Sequence, residues 1–79
     1  MSYTQHALQE VFRTVLNEPD LVIELEDSPH TVAEWDSLTH IALVVSVEAK
    51  FGIEFDASDI EGIATVSDFI AAIDASVSA

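Results

Sequence analysis

Apolar residues near the start of the chain recur at intervals of three and four positions, the spacing of one face of an α-helix. This spacing predicts a first helix over residues 3–17, which ends ahead of Pro19 because the residue before a proline is pushed out of helical geometry. A similar pattern predicts a last helix over residues 66–76. The apolar positions are Leu8, Val11, Phe12, Val15 and Leu16 in the first helix and Val66, Phe69, Ile70 and Ile73 in the last.

A second helix, predicted over residues 37–51, differs from these because its apolar positions divide into two stripes on roughly opposite sides. A single core needs only one stripe. The helix therefore either lies at the centre of a bundle with both stripes in the core, or presents one stripe to a partner. Periodicity leaves both alternatives open. Stripe one comprises Leu38, Ile41, Ala42, Val45 and Ala49, and stripe two comprises Leu43, Val44, Val47 and Phe51.

Residues 18–36 form a long connection that lacks the helical spacing. Leu21, Ile23 and Leu25 alternate with other residues as in a strand, but the sequence offers no second strand to pair with them. We therefore predict an extended loop that packs a few apolar side chains against the helices. A loop of this length in a small domain is more often functional than idle.

Two short patterns typical of helix N-termini lie in the last third of the chain. "SDIE" at residues 58–61 predicts a short third helix over 58–62, and "TVSD" at residues 65–68 predicts the start of the last helix. The predicted fold is therefore all-α, a small four-helix bundle in which residues 1–79 form a single domain.

Length and composition limit the classes of function. A chain of 79 residues forms one modest core, and its 49% apolar content is typical of a folded domain. Fifteen acidic and two basic residues give a net charge of −13, which excludes nucleic acid as a partner and favours proteins with basic patches. There is no cysteine, no apolar run long enough to span a membrane and no signal-peptide layout. A cytoplasmic monomer is expected.

The N-terminus of the second predicted helix is the first candidate for chemistry. Asp36 is a natural N-cap, and the free N–H groups and positive dipole end of a helix favour an anionic group such as a phosphate. Ser37 stands at the same end. From the residues alone, it is either simply the first residue of the helix or a point of attachment.

The stretch "DSL" at residues 36–38 is followed by "FGIEF" at 51–55 and "IATVSDFIAAI" at 63–73. With this spacing the chain resembles the acyl carrier proteins, small acidic four-helix domains that carry thioester-bound intermediates and are not enzymes. The resemblance covers almost the whole chain. It implies that a separate phosphopantetheinyl transferase attaches 4'-phosphopantetheine from coenzyme A to the hydroxyl of Ser37.

The resemblance also implies roles for the residues around Ser37. The transferase would read Asp36, and Glu48 would belong to an acidic surface for acyl-loading and acyl-transfer enzymes with basic patches. Stripe one would face these partners through Leu38, Ile41 and Val45. Leu43, Val44 and Val47 of stripe two would then belong to the core. Together with Ile53 and Ile63 they are implied to line a cleft for a bound acyl chain.

Several residues depart from the common fatty-acid pattern. Glu34 and Trp35 replace the usual glycine and small residue before Asp36, and Ala42 and Ala49 stand where acidic residues are frequent. These departures indicate a specialised carrier, of the kind found in polyketide-type loading or surface-lipid synthesis. Trp35 can equally serve only to pack the loop onto the bundle.

Other chemistries find less support in the sequence. Asp36, Ser37 and His40 supply the residue types of a hydrolase, but adjacency in sequence does not supply triad geometry or an oxyanion hole. The histidines, His6, His30 and His40, lack metal-ligand spacing. The remaining alternative is an acidic helical interaction module that never carries a prosthetic group.

Overall fold

The computed structural model describes residues 3–78, which form four α-helices and no strand. They are α1 (Tyr3–Val15), α2 (Ser37–Phe51), α3 (Ala57–Gly62) and α4 (Val66–Ser78). The predicted all-α, four-helix class is confirmed, and the predicted loop is not a strand. Helix α1 ends two residues before the predicted limit and α4 ends two residues after it. None of the helices within residues 3–78 is long and apolar enough to cross a bilayer.

Each of α1 and α2 is followed by a residue whose backbone lies in the left-handed region. Asn17 has φ 55°, and the N–H of Glu18 bonds to the carbonyl of Arg13 at 3.0 Å. Gly52 has φ 66°, and its N–H bonds to the carbonyl of Glu48. Asparagine and glycine tolerate this backbone geometry, so the chain leaves both helices at sharp turns.

A hydrophobic core holds α1, α2, α4 and the long loop together. Each of these elements contributes fully buried side chains, with Phe12 from α1, Leu43 from α2, Phe69 from α4 and Ile23 from the loop all at 0% exposure. Partly buried residues such as Leu21 and Phe51 pack against the edge. Of the three alternating residues of the loop, Ile23 alone is fully buried, and Leu25 is exposed to 47%.

Polar side chains of α1 fix the path of the loop. The Gln9 side-chain oxygen accepts from the N–H of Ile23 at 3.1 Å, and the Arg13 Nε donates to the carbonyl of Leu21 at 2.7 Å. Gln9 is 5% exposed, so this bond satisfies a buried amide that would otherwise be costly to remove from water. The loop is thereby pinned to α1 on either side of Val22.

The N-termini of the last two helices are capped in different ways. In α4 the predicted capping box is confirmed, since Thr65 Oγ1 accepts from the N–H of Asp68 at 3.1 Å and an Asp68 carboxylate oxygen accepts from the N–H of Thr65 at 3.2 Å. In α3 the predicted cap at Ser58 is wrong. Asp56 caps this helix through the N–H of Asp59 at 2.9 Å, so α3 begins one residue before the predicted limit.

Candidate functional site

The candidate site is built on the N-terminus of α2, where Asp36 is the N-cap as predicted. Its Oδ1 accepts from the backbone N–H of Thr39 at 2.9 Å and of Leu38 at 3.0 Å. These bonds favour the ionised form and so lower the pKa of the exposed Asp36 carboxyl from its ordinary value. The bond from the N–H of Thr39 has the largest effect. The cap is therefore charged at neutral pH.

Thr39 completes the cap and ties it to the preceding loop. Its Oγ1 accepts from the N–H of Asp36 at 2.8 Å and donates to the carbonyl of Glu34 at 2.7 Å. Thr39 in the first turn of α2 is thus bonded to the residue before Trp35 and to the residue after it. This network holds the residues around position 37 in place without using the Ser37 side chain.

Ser37 is the first residue of α2 and is exposed. No residue within the described range 3–78 forms a hydrogen bond with its hydroxyl. The hydroxyl projects from the positive end of the helix dipole, where a phosphate group is favoured. The geometry leaves Ser37 accessible for covalent modification.

Trp35, directly before this cap, lies inside the core at 1% exposure. Its ring packs edge-on against Phe12 with centroids 5.1 Å apart, and lies side by side with the His40 ring, with centroids 6.1 Å apart and an interplanar angle of 16°. The indole Nε1 donates to His40 Nδ1 at 3.0 Å. The sequence indicated that Trp35 could pack the loop onto the bundle, but the bond to His40 was not foreseen.

His40 connects the core to α3. An indole N–H can only donate, so Nδ1 of His40 accepts and the neutral ring carries its proton on Nε2. That nitrogen lies 3.5 Å from the carbonyl oxygen of Ile60 and donates to it. With both nitrogens engaged, His40 does not serve as a base for Ser37, and the arrangement is not that of a hydrolase.

An open pocket of about 470 Å³ lies beside Ser37, between α2 and α3. Ile63 is the one predicted cleft residue that lines it. Leu43, Val44 and Val47 are buried in the core at 2% exposure or less, and Ile53 is half-buried at another part of its edge. The pocket walls include Asp36, Ser37, His40, Ile41, Ile60, Glu61 and Ile63.

The two stripes of α2 have different surroundings. Leu38, Ile41 and Val45 of stripe one are 80%, 53% and 58% exposed. In stripe two, Leu43, Val44 and Val47 are buried and Phe51 is half-buried. One stripe therefore belongs to the core, and the other forms an apolar surface next to Ser37.

Glu48 is engaged within the fold. One of its carboxylate oxygens accepts from the backbone N–H of Phe55 at 2.8 Å, and the side chain is half-buried. This bond fixes the turn between α2 and α3. The sequence suggested only an acidic surface residue at this position. No group of three or more potential metal ligands occurs between residues 3 and 78.

Comparisons with known proteins add to this geometry. The profile of the family described as "phosphopantetheine attachment site" matches residues 6–73. The solution structure of a holo acyl carrier protein from Geobacter metallireducens shares 30% identity and a TM-score of 0.89, over 98% of this chain and 88% of that one. A protein assigned as an acyl carrier protein in Mycobacterium tuberculosis shares the fold with a TM-score of 0.82 at 22% identity, over 91% of this chain and 96% of that one. No curated protein sequence matches significantly.

Proposed function

The chain belongs to the acyl carrier protein family, whose members are carriers with a phosphopantetheine prosthetic group rather than enzymes, and on this premise we propose that Ser37 is the attachment residue. The observation that supports this most directly is the exposed Ser37 hydroxyl at the first position of α2, within the region that the family profile matches. Asp36 and Thr39 fix the backbone on either side, so attachment disturbs no bond of the cap.

The residues at this site suit a phosphodiester. In the proposed reaction the Ser37 oxygen forms a bond to the phosphorus of the pantetheine-bearing phosphate of coenzyme A. The nucleotide part leaves, and the hydroxyl proton passes to the transferase or to solvent. The N-terminus of α2 favours the new negative charge. The group supplies a terminal thiol that holds acyl intermediates as thioesters, while the protein itself supplies the attachment point and a surface for recognition.

That recognition surface comprises the exposed part of stripe one and the charged cap. Leu38, Ile41 and Val45 offer an apolar patch beside Ser37, and Asp36 offers a carboxylate to a basic partner. Glu48 also belongs to the proposed surface, although its bond to Phe55 takes one of its oxygens. The proposed partners are a phosphopantetheinyl transferase and the enzymes that load and transfer acyl groups.

We assign the carrier to a specialised lipid or polyketide-type pathway. The support is the replacement of small residues before Asp36 by Glu34 and Trp35. The bond from Trp35 to His40 gives this departure a structural consequence at the wall of the pocket beside Ser37.

The experiment is intact mass measurement after incubation with coenzyme A and a broad-specificity transferase. Wild type should gain one phosphopantetheinyl group, and Ser37→Ala should gain none. Ser67→Ala is the matched control, because Ser67 is also exposed in the first turn of a helix, and it should be modified like wild type. If wild type gains no mass, the protein is an interaction module without a prosthetic group. If Ser37→Ala is modified, the attachment residue is wrong.

A further inference from the structure

The wall between the pocket beside Ser37 and the core consists of side chains that bond to one another. His40 forms the side of the wall that faces the pocket. Behind it lies Trp35, which is 1% exposed, and His40 also lies 6.0 Å from the ring of Phe69, which is 0% exposed. His40 therefore contacts both the open pocket and the closed core.

Two hydrogen bonds hold this wall shut. Trp35 Nε1 donates to His40 Nδ1 at 3.0 Å, and His40 Nε2 lies 3.5 Å from the carbonyl oxygen of Ile60 on α3. The bonds link the loop, α2 and α3 between the pocket beside Ser37 and the core, in which Leu43 and Val47 are buried. Moving His40 aside would leave the indole N–H unsatisfied among apolar rings, which is unfavourable.

From this geometry we infer that the Trp35–His40–Ile60 wall closes the bundle core to the cargo, so that the cargo lies in the open pocket and is a short or polar acyl group. This inference rests on the proposed attachment at Ser37. The pocket combines apolar surface from Ile41, Ile60 and Ile63 with the carboxylates of Asp36 and Glu61. Because this pocket is open, a long aliphatic chain lying in it would stay largely exposed to water.

The polar part of the pocket wall is acidic. The carboxylates of Asp36 and Glu61 line it, so hydroxyl groups on the cargo have hydrogen-bond acceptors there.

The test compares acetyl and decanoyl cargo on the same protein, each loaded at Ser37 from the corresponding acyl-coenzyme A by the transferase. Intact mass confirms loading before any other measurement. In wild type the thermal midpoints of the acetyl and decanoyl forms should agree within about 2 °C, since a chain left in water adds no buried area. The NMR signal of the Trp35 indole N–H should also be the same in both forms.

Variants of the wall should change this result. In His40→Ala the decanoyl form should melt above the acetyl form by roughly 5 °C or more, because the chain can then enter the core. His30→Ala removes an exposed histidine from the loop and serves as the control. If His40→Ala does not fold, Trp35→Phe, which removes the indole N–H and keeps a ring, takes its place.

The outcomes separate the two proposals. If Ser37 accepts no group by mass, the proposed function fails. If Ser37 is loaded but the decanoyl form of wild type melts well above the acetyl form, or its indole N–H signal shifts, the chain enters the core and the inference is overturned. Equal midpoints of the acetyl and decanoyl forms in both the wall variant and wild type would also overturn it, because the wall would then exclude nothing.

Discussion

The same substitution at two positions of α2, Val45→Asp and Val47→Asp, should have opposite consequences. The two valines lie two residues apart in one helix, so aspartate carries a similar intrinsic helix-propensity cost at each. Their surroundings differ, because Val47 is 0% exposed and Val45 is 58% exposed. Any difference in stability between the variants therefore reports on burial.

The magnitude for Val47→Asp follows from the surroundings of its side chain. Val47 belongs to the core cluster with Leu8, Phe12 and Phe69, none of which offers a partner to a carboxylate. Burying an unpaired charge costs several kcal/mol, or forces protonation of the carboxyl at a similar cost. At roughly 0.05–0.15 kcal/mol per residue, the whole domain has a stability of about 4–12 kcal/mol. Val47→Asp should therefore be unfolded, or should unfold at a urea concentration lower than that for wild type by several molar.

For Val45→Asp the expected loss is about 0.5 kcal/mol or less, as for other exposed positions. With a urea m-value of about 1 kcal/mol/M for a small domain, the midpoint should move by about 0.5 M or less. Modification of Ser37 by the transferase should nevertheless slow, because Val45 belongs to the proposed recognition surface.

Urea titration followed by far-ultraviolet circular dichroism gives the midpoints, and intact mass against time gives the modification rate. Val47→Ala supplies an intermediate point, since removing two buried methyl groups costs about 2–3 kcal/mol and leaves the domain folded. If Val45→Asp unfolds the domain while Val47→Asp stays folded, the two stripes are interchanged. If both variants unfold, stripe one is not free for partners.

Two other predictions concern charge. The lowered pKa values of Asp36 and Asp56 mean that their caps stabilise the fold above the ordinary value of 3.8, and that this contribution is lost as the pH falls through the lower folded values. The thermal midpoint of wild type should fall on acidification. The fall should be less steep in Asp36→Asn, because asparagine is a good cap that does not titrate. An equal fall in both proteins would refute the contribution of the ionised Asp36 cap. The rate of Ser37 modification should fall as ionic strength rises. The fall should be smaller in Asp36→Asn than in the control Glu18→Gln, which removes an exposed charge elsewhere. Equal salt dependence of the two variants would show that the transferase does not recognise the Asp36 carboxylate.

Local patterns predicted the features of the fold that depend on neighbours along one helix. The spacing of apolar residues predicted α1, α2 and α4, a capping pattern predicted α3, and the Asp36 cap followed from the preference of aspartate for a helix start. The cap of α3 was misplaced because "DASDIEG" contains two overlapping capping patterns, and the sequence does not decide between Asp56 and Ser58.

Local sequence patterns did not predict the contacts that form only after the chain has folded back on itself. The bonds of Glu48 to Phe55 and of Trp35 to His40 join residues seven and five positions apart across turns. Their formation requires the bundle to close first. The pocket lining depends on packing in the same way. Periodicity left the core face of α2 open and the resemblance assigned Leu43 and Val47 to it, but only the folded structure shows that Ile63 lines the pocket beside Ser37 and that Leu43 and Val47 do not.

The attachment at Ser37 is tested most directly by locating the group on the chain. After modification, cleavage on the carboxyl side of glutamate yields the peptide spanning residues 35–48, in which Ser37, Thr39 and Ser46 carry the hydroxyl groups. Fragmentation of this peptide distinguishes the three positions. The account predicts that the phosphopantetheinyl group lies on Ser37 alone. Finding it on Thr39, on Ser46 or outside this peptide would contradict the account.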